Sequence, residues 1–313
     1  MKIRKDKRGI EFSFTWLFAI IVGAVILILA IYAATKIIST GQSETGAAAA
    51  KEIGILLNPL ETSFQEGVTT SIALPTDTRI YNVCDNSSVF GSQKISTSQK
   101  SFGGFSDPSV EVGFPNKYIF SDDYEEGREF YVFSKPFEFP FKVADVIYLT
   151  PSTEKYCFID APEDIEKELN DLGQENLLTG NCSISNEEMI RVCFGGSSTN
   201  GCDVRVGYSQ RYVEKNKSTM HFETDALMYA AIFSNTKIYE CQVQRLIARA
   251  KGLADIYDKK ANLLSQKDCN SNTNTFSLVN GFRNYKDSSD LGSLYISAKE
   301  IERENDISSC PLW

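Results

Sequence analysis

Residues 14–34 read FTWLFAIIVGAVILILAIYAA, and this stretch decides the architecture of the chain. It contains 21 residues and no charged side chain. As an α-helix that rises about 1.5 Å per residue, it spans roughly 31 Å, close to the thickness of the hydrocarbon core of a bilayer. Lipid offers the backbone no hydrogen-bond partner, so a single crossing segment has to be helical. The stretch therefore predicts one transmembrane helix.

The charges that flank this helix predict its orientation. Residues 1–13 are rich in Lys and Arg, whereas only Lys36 follows the apolar stretch closely. Basic residues are enriched on the cytoplasmic side of membrane helices. We therefore expect a cytoplasmic segment at residues 1–13 and an extracytoplasmic location for everything after the span. A cleaved secretory signal is the competing interpretation, but its apolar region is usually only about 7–15 residues long.

The residues just before the span resemble a known processing signal. Lys7, Arg8 and Gly9 stand immediately ahead of the apolar stretch. Basic residues, a glycine and then an uncleaved hydrophobic helix resemble the class III signal of archaeal type IV pilin-like proteins. The resemblance covers only the N-terminal part of the chain. It implies cleavage after Gly9 and retention of the helix as membrane anchor and assembly spine. The chain departs from the family at Phe14, where a glutamate is usual.

Composition and charge narrow the classes of function. With 313 residues, 42% of them apolar and 23% charged, the chain resembles a folded protein rather than a disordered or fibrous one. Its net charge is −9 although residues 1–13 are basic, so the predicted exported part is more acidic than the total. An acidic surface repels phosphate backbones, which argues against nucleic acid as a partner.

The cysteines predict a disulfide-stapled domain. All eight follow the span, where no cytoplasmic system keeps thiols reduced, and they form no C-x-x-C motif. Cys193 and Cys202 flank a glycine-rich turn, which predicts a hairpin disulfide. Three Asn-x-Ser/Thr sequons are candidate glycosylation sites in an exported domain. They begin at Asn86, Asn181 and Asn216.

The remaining pattern predicts an α+β fold. Residues 35–60 continue as a helical stalk whose small and apolar positions include Ala47, Ala50, Gly54 and Leu57. This face is suited either to packing against identical neighbours or to packing against the domain's own core. Asn58 and Pro59 predict the end of the stalk. We expect residues 61–313 to form one extracytoplasmic domain.

The first half of this domain predicts an aromatic-rich antiparallel sheet. Phe137, Phe139 and Phe141 alternate with polar or proline positions, which indicates either a sheet core or an exposed aromatic binding surface. The acidic residues 122–127 are typical of a solvated hairpin tip. Residues 162–172 predict a short helix. The predicted strands cover residues 78–84, 117–120, 129–133, 142–149 and 155–159, with a further β-rich region at 177–222.

The last third predicts a pair of helices. Apolar residues recur every seven positions between 243 and 264, which predicts a helix over residues 236–266. A similar pattern predicts a second helix over residues 289–306. If the two helices pack antiparallel, the beginning of the first lies beside the end of the second. This arrangement predicts a disulfide between Cys241 and Cys310. The eight apolar residues 226–233 are too few to cross a membrane, so we expect them to lie in the hydrophobic core of the domain.

The chain carries no common catalytic signature, and it contains one histidine, His221. We therefore nominate no catalytic, cofactor-binding or metal-ligating residue. The sequence favours a single-pass, membrane-anchored cell-surface protein with a structural or assembly role of the pilin-like kind. Its expected partners are the lipid bilayer and further copies bound through the N-terminal helix. A ligand-binding or receptor-like ectodomain is the first alternative, and a membrane-tethered hydrolase is the second.

Overall fold

The computed structural model describes residues 14–57, 68–101, 104–180, 182, 189–195, 201–271 and 273–313. Gly9, Asn181 and the predicted stop at Asn58 and Pro59 lie outside these residues. The described chain is mixed α and β, and most of its strand pairs are antiparallel, as the sequence predicts. Its elements are α1 (Phe14–Leu56), β1 (Val68–Asp85), β2 (Ser92–Ser101), β3 (Gly104–Phe105), β4 (Val112–Phe114), β5 (Ile119–Phe120), β6 (Tyr124–Glu138), β7 (Lys142–Pro151), β8 (Lys155–Ile159), α2 (Glu163–Asp171), β9 (Leu177–Thr179), β10 (Met189–Phe194), β11 (Val204–Gly207), β12 (Tyr212–Lys215), β13 (Ser218–His221), α3 (Asp225–Phe233), α4 (Thr236–Ser265), α5 (Phe276–Asn284), a 3-10 turn (Ser288–Asp290) and α6 (Leu291–Asp306).

The first sheet is built around β1 and β6. Its order is β3-β2-β1-β6-β7-β5, with β4 also paired to β2, and only the β5–β7 pair is parallel. Successive side chains of a strand point to opposite faces, so one strand can contribute to two cores. In β7, Tyr148 belongs to one core, whereas Ile147 and Leu149 belong to the other. The sheet therefore needs a cover on both faces.

The second sheet has the order β13-β12-β11-β10-β8-β9. Its four strands β11, β10, β8 and β9 pair in parallel, in contrast to the antiparallel sheet that the sequence predicts. Parallel neighbours cannot be joined by a tight hairpin and require a crossover. α2 lies within the crossover from β8 to β9. It agrees with the short helix predicted over residues 162–172.

α3 lies between the two sheets and joins their cores. Residues 226–233 are all buried, as their apolar run predicts. The Phe233 ring packs edge-on against Phe133 of the first sheet, at 5.8 Å between ring centroids, and against Tyr156 of the second, at 4.9 Å. Phe137, Phe139 and Phe141 are buried in the same cluster. The core interpretation of the aromatic stretch is therefore confirmed, and these three rings form no exposed binding surface.

The C-terminal helices differ from the predicted antiparallel pair. α4 and α6 have nearly the predicted bounds, but α5 lies between them in sequence and packs against both. This additional reversal makes α6 run in the same direction as α4. At their beginnings, the Ser288 hydroxyl donates to Glu240 Oε1 at 2.6 Å. At the other end, Lys260 Nζ donates to the carbonyl of Leu312 at 2.5 Å.

The helix directions explain why one predicted disulfide is wrong. Cys310 lies near the end of α4 and bonds Cys269, with 5.9 Å between the Cα atoms. Cys241 lies near the beginning of α4 and bonds Cys84 of β1, with 6.1 Å between the Cα atoms. The predicted Cys241–Cys310 pair is therefore absent. The Cys193–Cys202 disulfide that the glycine-rich turn predicts is present. The predicted hairpin is wrong, because β10 and β11 on either side of this turn pair in parallel. The fourth disulfide joins Cys157 to Cys182.

Candidate functional site

The N-terminal helix is the feature of the fold that departs most from a compact domain. α1 is continuous over 43 residues, which corresponds to about 65 Å. Its part Phe14–Ala34 is the one described segment long and apolar enough to cross a membrane, and none of it is buried inside the protein. Length and composition of this kind are shared by membrane anchors and signal sequences. A buried core helix can have the same length and composition, but Phe14–Ala34 is not buried and is therefore not a core helix.

The opposite end of α1 is fixed in the domain. Ala50, Ile53, Gly54 and Leu57 repeat at helical spacing and are all buried. They cover one face of the first sheet, and we call this contact the seat of α1. The sheet side of the seat consists of Ile72, Ile80, Ile95, Ile119, Phe130, Val132, Ile147 and Leu149.

A close approach at Gly54 brings α1 onto the sheet. A Cβ atom at this position would overlap the ring of Phe114 on β4. Glycine costs a helix about 1 kcal/mol relative to alanine, so its presence here reflects the packing rather than the helix itself. Of the two alternatives for the small-residue face, the described residues Ala50 and Gly54 pack against the domain's own core. The environment of the Ala47 side chain lies outside the description.

Edge strand β5 is tied to strands β1 and β2 of the same sheet. The backbone N–H of Ile119, on β5, donates to Gln93 Oε1 of β2 at 3.3 Å. The Asn82 side chain of β1 donates to the Ile119 carbonyl, also at 3.3 Å. Amide side chains thus satisfy the backbone of an edge strand. The Ile119 side chain itself belongs to the seat of α1.

A buried carboxyl group lies where the two sheets meet. The sequence predicts a solvated tip at residues 122–127, but Glu125 is only 5% exposed and accepts a hydrogen bond from the backbone N–H of Asp122 at 2.9 Å. Burial raises the pKa of Glu125 well above its usual range, and the nearby carboxyl of Glu154 raises it further. The pKa of Glu154 is also raised, mainly by burial. Lys215, which contacts Asp122 at 3.7 Å, partly offsets both shifts.

This cluster does not have the form of an active site. Glu125 is closed to a substrate by its burial, and Lys215 donates to the carbonyls of Ile232 and Ser234 at the end of α3. A cleft of about 550 Å³ beside α2 contains Lys135 and Glu168, but these two side chains form an ion pair with each other. Among the described residues, no group of three His, Cys, Asp or Glu side chains could hold a metal ion.

The other residues that the sequence singled out lie apart from one another. His221 uses its backbone to tie β13 to the 3-10 turn, its N–H donating to the Ser288 hydroxyl at 3.0 Å. Asn216 is exposed at the β12–β13 turn with φ of 52°. Asn86 is exposed as well, and its amide donates to Gln244 Oε1 at 2.6 Å. Both described sequons are therefore on the surface, as a glycosylation site requires.

Comparison with known proteins adds no relative. The chain matches no family model, no curated protein and no solved structure. The function is therefore inferred from the fold and its contacts.

The Gly54–Phe114 contact generates a prediction with a change of sign. Gly54→Ala should lower the free energy of unfolding by about 1 kcal/mol or more, because the new methyl group has to displace the ring. In a Phe114→Ala background the same change should stabilise the protein by up to about 1 kcal/mol, since only the helix preference of alanine remains. Thermal or denaturant unfolding of the wild type, the two single variants and the double variant measures the effect of Gly54→Ala in each background. Gly113→Ala, at an open position on the same strand, is the control for β4. Destabilisation of equal size in both backgrounds would contradict this account of the seat.

The Glu125 cluster generates a prediction about pH. The raised folded-state pKa means that the protonated carboxyl stabilises the fold fully below the unfolded pKa of about 4.3 and that this contribution is lost as the pH rises through the folded value. Glu125→Gln imitates the protonated form. As the pH rises from about 5 to about 8, the wild type should lose about 1–2 kcal/mol more of its free energy of unfolding than Glu125→Gln loses. Glu138→Gln, exposed on the same strand, should follow the wild type. Parallel pH profiles for all three proteins would show that Glu125 is ionised in the fold.

Proposed function

We propose that this chain is a single-pass membrane protein in which α1 anchors an exported, disulfide-bonded domain and serves as the contact between copies. The activity is structural: the chain positions and assembles a folded domain at the cell surface in a pilin-like manner. The observation that carries the proposal is the contrast within α1 between an apolar half outside the core and last turns, from Ala50 onwards, that are packed in the seat.

The exposed half of α1 has no favourable environment in water. Apart from Val22 at 36%, the large apolar side chains from Phe14 to Tyr32 are about half exposed or more, for example Ile26 at 61%. Exposed apolar surface on this scale marks a membrane or protein contact. A bilayer covers it completely and requires the observed helix. The N-terminal Lys and Arg residues favour the cytoplasmic side for residues 1–13.

The seat supports a permanent anchor. In a signal peptide the apolar helix precedes the folded domain and is removed, whereas α1 enters the core of the domain without interruption. Four disulfides support an oxidising compartment for that domain.

The membrane half also supports contacts between copies. Ala19, Gly23, Ala30 and Ala34 lie close to one side of the helix, and small residues allow membrane helices to approach closely. A Cβ atom at Gly23 would meet no atom of its own chain within 4 Å. Because Ala50 and Gly54 are occupied by the seat, the proposed contact between copies lies in the membrane half.

Topology can be tested with single engineered thiols, because all eight native cysteines are in disulfides. Lys259→Cys, exposed on α4, should react with a membrane-impermeant maleimide on intact cells. Ser13→Cys should react only after the cells are lysed, and this residue stays on the chain whether or not cleavage occurs after Gly9. Reaction of Ser13→Cys but not Lys259→Cys on intact cells would reverse the proposed topology. Recovery of the protein in the soluble fraction would contradict the proposal that α1 is a membrane anchor.

Assembly can be tested with a change that a single copy tolerates. Gly23→Leu should reduce cross-linked or mass-resolved multimers in membranes by about tenfold, because the larger side chain separates the helices. It should leave thermal unfolding of the domain unchanged. Val25→Leu, a similar apolar change in the same segment, should retain the multimers. A monomeric wild type, or equal multimers in both variants, would argue against helix-mediated assembly while leaving the topology test unaffected.

A further inference from the structure

A groove of about 340 Å³ lies between the loop that joins β1 to β2 and the helices α4 and α5. Val89 and Phe90 contribute to it from the loop. Arg245 and Lys251 contribute from α4, and Arg283 from the last turn of α5. The groove shares no residue with the seat of α1 or with the Glu125 cluster.

The charge of this groove is opposite to that of the chain. All of its charged lining residues are basic, namely Arg245, Lys251 and Arg283, although the protein has a net charge of −9. Among the described residues, Lys251 and Arg283 form no ion pair; Arg283 Nη1 lies 3.4 Å from the neutral Asn280 Oδ1. A concave surface lined by one sign of charge concentrates ions of the other sign.

Arg245 adds a buried charge that forms no ion pair among the described residues, although the carboxylate of Asp85 acts on it from a longer distance. Its side chain is 1% exposed, and its guanidinium donates to the carbonyls of Phe90, Pro115 and Lys117 at 2.9–3.2 Å. A further bond goes to Gln242 Oε1 at 2.6 Å. All of these acceptors are neutral, and no described carboxylate lies within ion-pair distance. Burial lowers the pKa of Arg245 to about 10. Most of the guanidinium donors are already occupied, so Arg245 contributes positive potential to the groove rather than a direct contact with a ligand.

The walls also offer apolar contacts beside the basic side chains. Val89 and Phe90 are 79% and 49% exposed, which is unusual for two adjacent apolar residues at the rim of a basic groove. Tyr285 lines the groove too. A ligand that combines an anionic group with an apolar body would use both kinds of contact.

The loop that carries Phe90 is held in place before any ligand arrives. The Cys84–Cys241 disulfide joins its beginning to α4, and Asn86 bonds Gln244 one turn further along the helix. Gly91 ends the loop with φ of +59°, and a Cβ atom there would overlap the carbonyl oxygen of Asp85. A preformed site loses little free energy to ordering when it binds.

We propose that this groove binds a small molecule in which a carboxylate is attached to an apolar or aromatic body. Lys251 and Arg283 hold the carboxylate, and Phe90 packs against the apolar part. The volume lies at the lower end of the range for small-molecule sites. This inference does not depend on membrane anchoring or on assembly.

The test compares an acid with its neutral analogue on the full-length protein in nonionic detergent. Binding of 4-fluorobenzoate and 4-fluorobenzamide is followed by ¹⁹F NMR. The benzoate should bind about tenfold more tightly than the amide, and added salt should weaken its binding. The double variant Lys251→Gln/Arg283→Gln should lose about tenfold in affinity for the benzoate. Phe90→Ala should weaken both probes.

The control is Lys259→Gln/Arg303→Gln, which removes the same charge from exposed positions outside the groove. It should bind the benzoate as the wild type does, because the groove is intact. Equal affinity for acid and amide, or an equal loss in the control and in the groove variant, would overturn the proposal. If the probes only associate with the detergent, the measured binding would be the same for every variant, and this result would also count against the proposal.

Discussion

The seat of α1 is the contact on which the rest of the structure depends. Strands β6 and β7 place large apolar side chains on both faces of the first sheet, and β1 adds Ile72 and Ile80 to the face that α1 covers. α3 and α4 cover one face, and the last turns of α1 contact the other. Each large apolar side chain buried here contributes about 1.5–3 kcal/mol relative to exposure. The helix that bears the apolar stretch 14–34 therefore also completes the core of the domain.

The other side of the sheet is organised by aromatic packing. The Phe233 ring contacts residues of both sheets, so the two sheets and α3 form one hydrophobic cluster rather than two independent cores. The disulfides act at the margins of this cluster. Cys84–Cys241 joins the first sheet to α4, whereas Cys193–Cys202 closes a local turn. Aromatic core and covalent links together fix how the helices lie on the sheets.

Much of this architecture is readable from local patterns. The apolar part of α1, α2, α4 and β8 follow from uninterrupted apolar runs, helical periodicity and β-branched or aromatic stretches. α5 is harder to predict because its nine residues include Gly281 and end in asparagine, which weakens any helical signal. Missing this helix reverses the inferred direction of α6. The error in helix direction leads to the wrong partner for Cys241.

Features that depend on contacts distant in sequence could not be predicted. Gly54 matters because Phe114 of β4 lies against it, and nothing in the spacing of the stalk shows that contact. Glu125 appears in an acidic run, yet the meeting of two sheets buries it. Arg245 stands among helix-forming residues, and only the arrangement of the 85–91 and 115–118 segments surrounds it with carbonyl oxygens. Burial of a polar side chain is a property of the assembled fold.

The unbroken backbone of α1 also has a mechanical consequence. Between Ala34, at the end of the apolar stretch, and Ala50, the first residue of the seat, the helix advances about 24 Å. A helix of this kind acts as a stiff rod, unlike a flexible tether whose ends move independently. It fixes the distance between the apolar stretch and the folded domain. A tilt at one end of the helix therefore moves the other end as well.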